Sequence, residues 1–189
     1  LLRPGISGFS ATQQPDGPVV NPSYWVFEAF PILARLAPEA NWEQLSRDGV
    51  DLIRDARFGD RRLPPDWLSV AAEPQPAAGF DAEFGYNAVR IPLYLMRALD
   101  EDTDLLRRLR DGMMGPKGGL ALVDLKSGAV KAELTDPGYR VIIALASCAL
   151  DAQPLPDDLQ RFEPTLYYPS TLHLLALAHT REDHAQCLS

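Results

Sequence analysis

Carboxylates and aromatic side chains gather in two stretches of this chain, Pro65-Asp66-Trp67 and Asp81-Ala82-Glu83-Phe84-Gly85-Tyr86-Asn87-Ala88-Val89-Arg90. That mixture suits the cleavage of a glycosidic bond, which takes one carboxyl group as acid and another as base. Sugar rings are held by stacking their apolar faces on aromatic side chains. Asp66, Asp81 and Glu83 are the loop-borne carboxylates here. An Asp in a loop is more often a turn or cap residue when taken singly, so the pattern around it must carry the reading. Asn87 opens an otherwise apolar helix pattern with Tyr86 before it and Arg90 three residues on, more chemistry than a helix start needs.

Other chemistries fit poorly. His173, His179 and His184 are spaced six and five apart, so they do not share a helix face as an i, i+4 pair does, and no Cys pair lies near them. No metal or cofactor is called for. No nucleophile sits in a G-x-S-x-G turn. The glycines of 112–119 do not form a phosphate loop, because Lys117 is followed by Gly118 rather than Ser or Thr.

The elements that would position these residues are mostly helical. Residues 23–37 place Tyr24, Trp25, Phe27, Phe30, Leu33 and Leu36 at helical spacing with Ser23 as N-cap. A second helix is expected over 41–57, with Trp42, Leu45, Val50 and Ile53 inward. Prolines break the chain from 59 to 85, where 67–70 reads as a short strand. A third helix is expected over 86–99, bent near Pro92, and a short one over 104–111. Residues 120–134 read as a hairpin turning at Ser127-Gly128, and two more helices are expected over 137–151 and 169–179. The expected fold class is all-α, a succession of helical hairpins of the (α/α)6-barrel type, incomplete in this chain, with a small β-hairpin as elaboration. One domain spans 1–189.

A net charge of -8 argues against a nucleic-acid partner, which needs clustered Lys and Arg. A neutral polymer suits this surface better. No apolar run is long enough to span a membrane. Leu1-Leu2-Arg3-Pro4-Gly5 has neither an initiator Met nor the build of a signal peptide, so the chain reads as part of something longer. Cys148, in an apolar run, is expected as a buried thiol rather than a disulfide, and Cys187 as free.

Taken in order, several motifs resemble the bacterial glycoside hydrolases of family 8, the cellulase and endoglucanase family. Leu2 to Phe9 is similar to that family's Leu-Pro-Gly-x-x-Gly-Phe, Asn21 to Tyr24 to its Asn-Pro-Ser-Tyr, and Pro65 to Trp67 to its Pro-Asp-Trp. Tyr86 to Pro92 resembles its catalytic helix start, and Tyr167-Tyr168 a tyrosine pair near its end. The resemblance implies an (α/α)6 barrel that hydrolyses β-1,4-linked glucan with inversion, and a periplasmic or secreted location. It implies that Tyr86 lines the cleft, that Arg90 binds substrate or orients the base, and that Asp66, Tyr24, Trp67, Tyr167 and Tyr168 contact the sugar.

Two departures matter. Where the family's general base is an Asp, this chain has Asn87, an amide without useful basicity near neutral pH. Asn87 can still hold the attacking water, as in members that recruit a base from elsewhere, and Asp81 and Glu83 are the local replacements. The general acid of the family precedes the motif with which this chain opens, so the chain resembles the C-terminal part of the catalytic domain, is expected to be inactive alone, and has the missing N-terminal part as a partner. The rival readings are a catalytically inactive glucan-binding protein and a helical scaffold with no sugar ligand.

Overall fold

The computed structural model describes residues 1–71, 73–98 and 102–188. It is mostly helical, but two small sheets accompany the helices where one hairpin and a short strand over 67–70 were expected; Leu68–Ser69 falls on that strand. In the first, β2 (Leu68–Ser69) lies between β1 (Val19–Val20) and β3 (Gln75–Pro76), antiparallel to both. In the second, β5 (Leu120–Asp124) lies between β4 (Glu83–Phe84) and β6 (Val130–Leu134), again antiparallel to both. The β5–β6 hairpin is the one expected over 120–134. Strands of two residues leave almost no alternation to read.

The helix expected over 23–37 is broken into 3-10 turns at Pro22–Tyr24 and Phe27–Ala29, followed by α1 (Phe30–Leu36). Asn21, not Ser23, caps the first turn: its Oδ1 accepts the Ser23 N–H at 3.1 Å and the Ser23 hydroxyl at 2.6 Å. The chain extends at Trp25 to bury that ring, whose Nε1–H donates to the Leu2 carbonyl at 3.0 Å. A Cβ on Gly49 would come within 2.6 Å of the same ring, so only glycine admits Trp25 there.

Helix α2 (Trp42–Asp55) starts where Asn41 accepts the Gln44 N–H at 3.0 Å, a side-chain N-cap. Its far end is closed from outside. Arg108, on α4 (Thr103–Met113), donates to the carbonyls of Ile53 at 2.8 Å and Ala56 at 3.2 Å. These are the orphan acceptors of a helix C-terminus. Burial, with Arg57 and Arg62 nearby, pulls the Arg108 guanidinium down to about 10.

Helix α3 (Ile91–Arg97) follows a 3-10 turn at Ala88–Arg90. Pro92 falls in its first turn, where the missing N–H costs nothing. The helix therefore begins afresh at the expected bend, and its expected end at Leu99 lies outside the described residues. Helix α5 (Pro137–Asp151) matches its expected span, and α6 (Tyr167–Asp183) is longer than expected at both ends. The two approach so closely that a Cβ on Gly138 would lie 1.7 Å from the Pro169 carbonyl oxygen. Phe84, Leu93, Leu109, Ile142 and Leu145 form the centre of the core.

The cysteines correct the sequence reading. Cys148 and Cys187 form a disulfide with Cα atoms 5.9 Å apart, within normal bridging distance. The chain's return is sealed by the Leu155 N–H donating to the Cys187 carbonyl at 2.9 Å. An apolar setting suits a buried half-cystine as well as a thiol, so the neighbourhood of Cys148 does not distinguish them.

Candidate active site

Asp66 organises the site from beneath. Only 5% exposed, its Oδ1 accepts the N–H groups of Gly85 and Ala88, both at 2.8 Å. Its Oδ2 accepts the Asn87 N–H at 3.2 Å and the Asn87 side-chain amide at 3.1 Å. The carboxylate thus caps a turn some twenty residues downstream. Burial pushes its pKa up, while the hydrogen bonds from Ala88, Gly85 and Asn87 pull the other way without cancelling the rise. Expected at the sugar, Asp66 instead faces the backbone of 85–88. Gly85 makes this possible: a Cβ there would lie 2.6 Å from Asp66 Oδ2 and 2.8 Å from Glu83 Oε1.

Asn87 is held in one orientation. Its NH2 points to an acceptor-only carboxylate, and its Oδ1 faces a donor-only group, Arg90 Nη2 at 3.4 Å. Arg90 also donates from Nε to the Ser23 carbonyl at 3.1 Å and from Nη2 to the Ser23 hydroxyl at 3.0 Å. Its guanidinium carbon lies 5.5 Å from the Tyr24 ring centre and 5.9 Å from that of Tyr168, within cation–π range. Tyr168 in turn donates its hydroxyl to the Tyr86 carbonyl at 2.8 Å, and burial helps push that hydroxyl up to about 12. Residues from three distant segments, Asn21–Tyr24, Gly85–Arg90 and Tyr168, therefore meet around one guanidinium, and Asp66 holds one of them, Asn87, from the other side. Arg90 makes no salt bridge among the described residues, so it is neither a surface ion pair nor free.

The aromatics divide by exposure. Tyr24 is 43% exposed, Tyr86 53% and Tyr167 87%, so these offer faces to a ligand. Trp67 is engaged with its neighbours: it stacks on Phe80 at 4.6 Å and on Phe9 at 5.7 Å, with Tyr24 edge-on at 6.1 Å. The parts played by Phe9, Phe80 and Ser23 were missed in the sequence. Phe9 closes the Leu2 to Phe9 motif and Ser23 stands inside the Asn21 to Tyr24 motif, signals that could have found them.

The replacement carboxylates are less close-knit. Asp81 is exposed and precedes β4, whereas Asn87 follows that strand, so the two stand at opposite ends of it. Glu83 lies within β4 and pairs through Oε2 with Lys131, leaving Oε1 beside Gly85. The histidines serve structure: His173 Nε2 meets the Leu159 carbonyl at 2.9 Å, and His179 Nδ1 meets Asp183 at 2.9 Å. No group of three or more candidate ligands for a metal ion occurs among the described residues, and none of the described helices is long and apolar enough to cross a membrane.

Comparison with known proteins matches residues 1–182 to the family described as glycosyl hydrolases family 8. Among curated proteins, the chain is 34% identical over 155 residues to a "Probable endoglucanase" of Novacetimonas hansenii, covering 78% of this chain and 43% of that protein. Among solved structures it resembles a family 8 endo-β-1,4-glucanase from an Achatina fulica gut metagenomic library, with a TM-score of 0.78 and 26% identity over 96% of this chain and 56% of the other. It also resembles an endoglucanase from Komagataeibacter sucrofermentans, with a TM-score of 0.75 and 31% identity over 96% of this chain and 56% of the other. The chain spans about half the length of these relatives.

Proposed function

From glycosyl hydrolase family 8, to which this chain belongs, we propose that it is the C-terminal portion of the catalytic domain of an endo-acting β-1,4-glucanase, completed by a preceding segment into an (α/α)6 barrel. Its substrate is a β-glucan such as cellulose, cleaved with inversion. The observation that supports this best is the assembly of Asn87, Arg90, Tyr24, Tyr86 and Tyr168 at one helix start, with exposed aromatic faces beside a polar group of fixed orientation.

In that reading the chain's own residues bind and orient. The exposed faces of Tyr24, Tyr86 and Tyr167 take sugar rings. Asn87 Oδ1, held by Asp66 and Arg90, keeps a second lone pair that accepts a hydrogen bond from the water that attacks the anomeric carbon. An amide cannot remove that water's proton, so a carboxylate must, and a second carboxyl outside these residues protonates the departing sugar oxygen. Asp81 and Glu83 are the candidates drawn from sequence, and Glu83 lies nearer to Asn87 along the chain. A periplasmic or secreted location is part of the proposal, and the Cys148–Cys187 disulfide supports it, since such bonds persist in oxidising compartments.

The test is hydrolysis of carboxymethyl-cellulose and barley glucan by the full-length protein, with NMR of the first-formed anomer. Release of reducing ends with the α-anomer first is expected. Binding of glucan with no release of reducing ends replaces this reading with a glucan-binding protein, which the amide at Asn87 would then favour.

A further inference from the structure

With an amide at Asn87, the site needs a carboxylate that the motifs do not single out, and the second sheet shows where one lies. Because β5 is antiparallel to both neighbours, β4 and β6 run in the same direction. The chain therefore leaves both strands heading the same way. Beyond β4 it enters Gly85, Tyr86 and Asn87; beyond β6 it enters Thr135 and Asp136, then α5. Phe84 lies opposite Val123 and Leu134 opposite Leu120, so the two exits are two strand spacings, about 10 Å, apart across the sheet and three residues, roughly 10 Å, apart along it.

Side-chain contacts tie the two exits together. Tyr139, one turn into α5, packs edge-on to Tyr168 at 6.1 Å, and Tyr168 is bonded to the Tyr86 carbonyl. Burial raises the Tyr139 hydroxyl to about 12, and the next contributors are Tyr86 and Asp136, so both residues lie within electrostatic reach of that ring.

Among the described residues, no hydrogen bond or ion pair engages the Asp136 carboxylate. The residue holds the N-cap position of α5, where an Asp side chain ordinarily accepts a backbone N–H of the first turn. Here only its carbonyl does so, toward Tyr139 at 3.0 Å and Arg140 at 3.2 Å. Its half-buried side chain makes no cap hydrogen bond. Glu83 differs in being committed to Lys131.

We infer that Asp136 is the general base of the inverting reaction proposed above, on which this inference rests. The water held on Asn87 Oδ1 gives its proton to the Asp136 carboxylate. The electron pair of the broken O–H bond forms the new bond to the anomeric carbon, and the glycosidic C–O pair departs on the leaving oxygen, which takes a proton from the general acid, a carboxylic acid outside this chain.

Asp136→Asn in the full-length protein is expected to lower kcat on barley glucan about 10²- to 10⁴-fold with KM little changed. Azide should rescue Asp136→Ala and yield the α-glycosyl azide, because azide needs no deprotonation. If Asp136→Asn keeps a near-native rate while Glu83→Gln loses it, Glu83 is the base and the inference is overturned. A readout independent of turnover is 13C-tyrosine NMR against pH: Asp136→Asn should bring the Tyr139 titration down, and an unmoved titration overturns the placement. If the wild-type protein cleaves no glucan, the functional reading falls and the base role with it, while a shifted titration would still show Asp136 beside Tyr139.

Discussion

Replacing Asp66 tests the claim that one buried carboxylate builds the helix start that carries Asn87. Asp66→Ala leaves the N–H groups of Gly85, Asn87 and Ala88 and the Asn87 amide without their acceptor. Leaving buried donors unsatisfied costs about 1–3 kcal/mol each, but neighbouring losses overlap and water reaches part of Asn87, so about 3–4 kcal/mol is expected for the set. For a chain of this length that is a fall in Tm of roughly 6–16 °C. Asp66→Asn keeps one oxygen for Gly85 and Ala88, sets its NH2 against the donors of Asn87, and sheds a desolvated charge, so about 1–2 kcal/mol is expected. The pH dependence has a definite sign. Burial holds the folded pKa of Asp66 above its unfolded value, so the proton-linked contribution is full below about pH 4 and is lost as pH rises through the raised folded pKa. Asp66→Asn carries no such proton, so the stability gap between it and the wild type should narrow as pH rises. Urea unfolding followed by circular dichroism from pH 4.5 to 8 measures both quantities. A loss below 1 kcal/mol for Asp66→Ala, or a gap that widens with pH, would refute the reasoning.

Arg90→Lys should prove non-conservative, because a point charge cannot keep two bonds to Ser23 and the place beside Tyr24 and Tyr168. A loss of at least tenfold in hydrolytic rate, about 1.4 kcal/mol, is expected, and an unchanged rate would return Arg90 to a scaffold role. Opening the Cys148–Cys187 bond by reduction should lower stability by about 3–4 kcal/mol for a loop of this size, read as the urea midpoint with and without reductant. Gly138→Ala must force α5 and α6 apart against the Pro169 carbonyl; we expect a loss of more than about 3 kcal/mol, and a melting temperature within 2 °C of the wild type would contradict the packing.

Helices α2, α4 and α5 were legible because each carries its own apolar spacing, and the β5–β6 hairpin because Ser127-Gly128 marks its turn. The segment 23–37 shows the same spacing yet breaks, because Trp25 is drawn to Gly49 and Leu2, contacts that local periodicity does not contain. Of the two-residue strands only β2 was legible, as the short strand read over 67–70; β1, β3 and β4 exist through the strands they pair with and leave no local trace. For the site, the motifs brought the correct segments to attention, since Asn21 to Tyr24, Asp66 and Tyr86 to Arg90 do meet. Their internal order was not visible: Asp66 reads as an exposed loop acid until it is seen capping residues 85–88. Asp136, just before the helix expected from 137, was not singled out in the sequence, and only the structure shows that its side chain makes no cap hydrogen bond. Cys148 and Cys187, 39 residues apart, gave no sign of pairing, because each neighbourhood is apolar on its own account.

The disulfide also decides how the chain bears force. Covalently, residues 148 to 187 form a closed ring that contains the proline-rich loop and the whole of α6. Tension applied beyond Cys187 passes through the sulfur bridge into the last turn of α5, and α6 carries none of it. In a pulling experiment the oxidised chain should lengthen about 130 Å less than the reduced chain, the contour of the sequestered 39-residue span. The helix that presents Tyr167 and Tyr168 is thus isolated from loads on the C-terminal side, and unwinds only when the rest of the core has already given way.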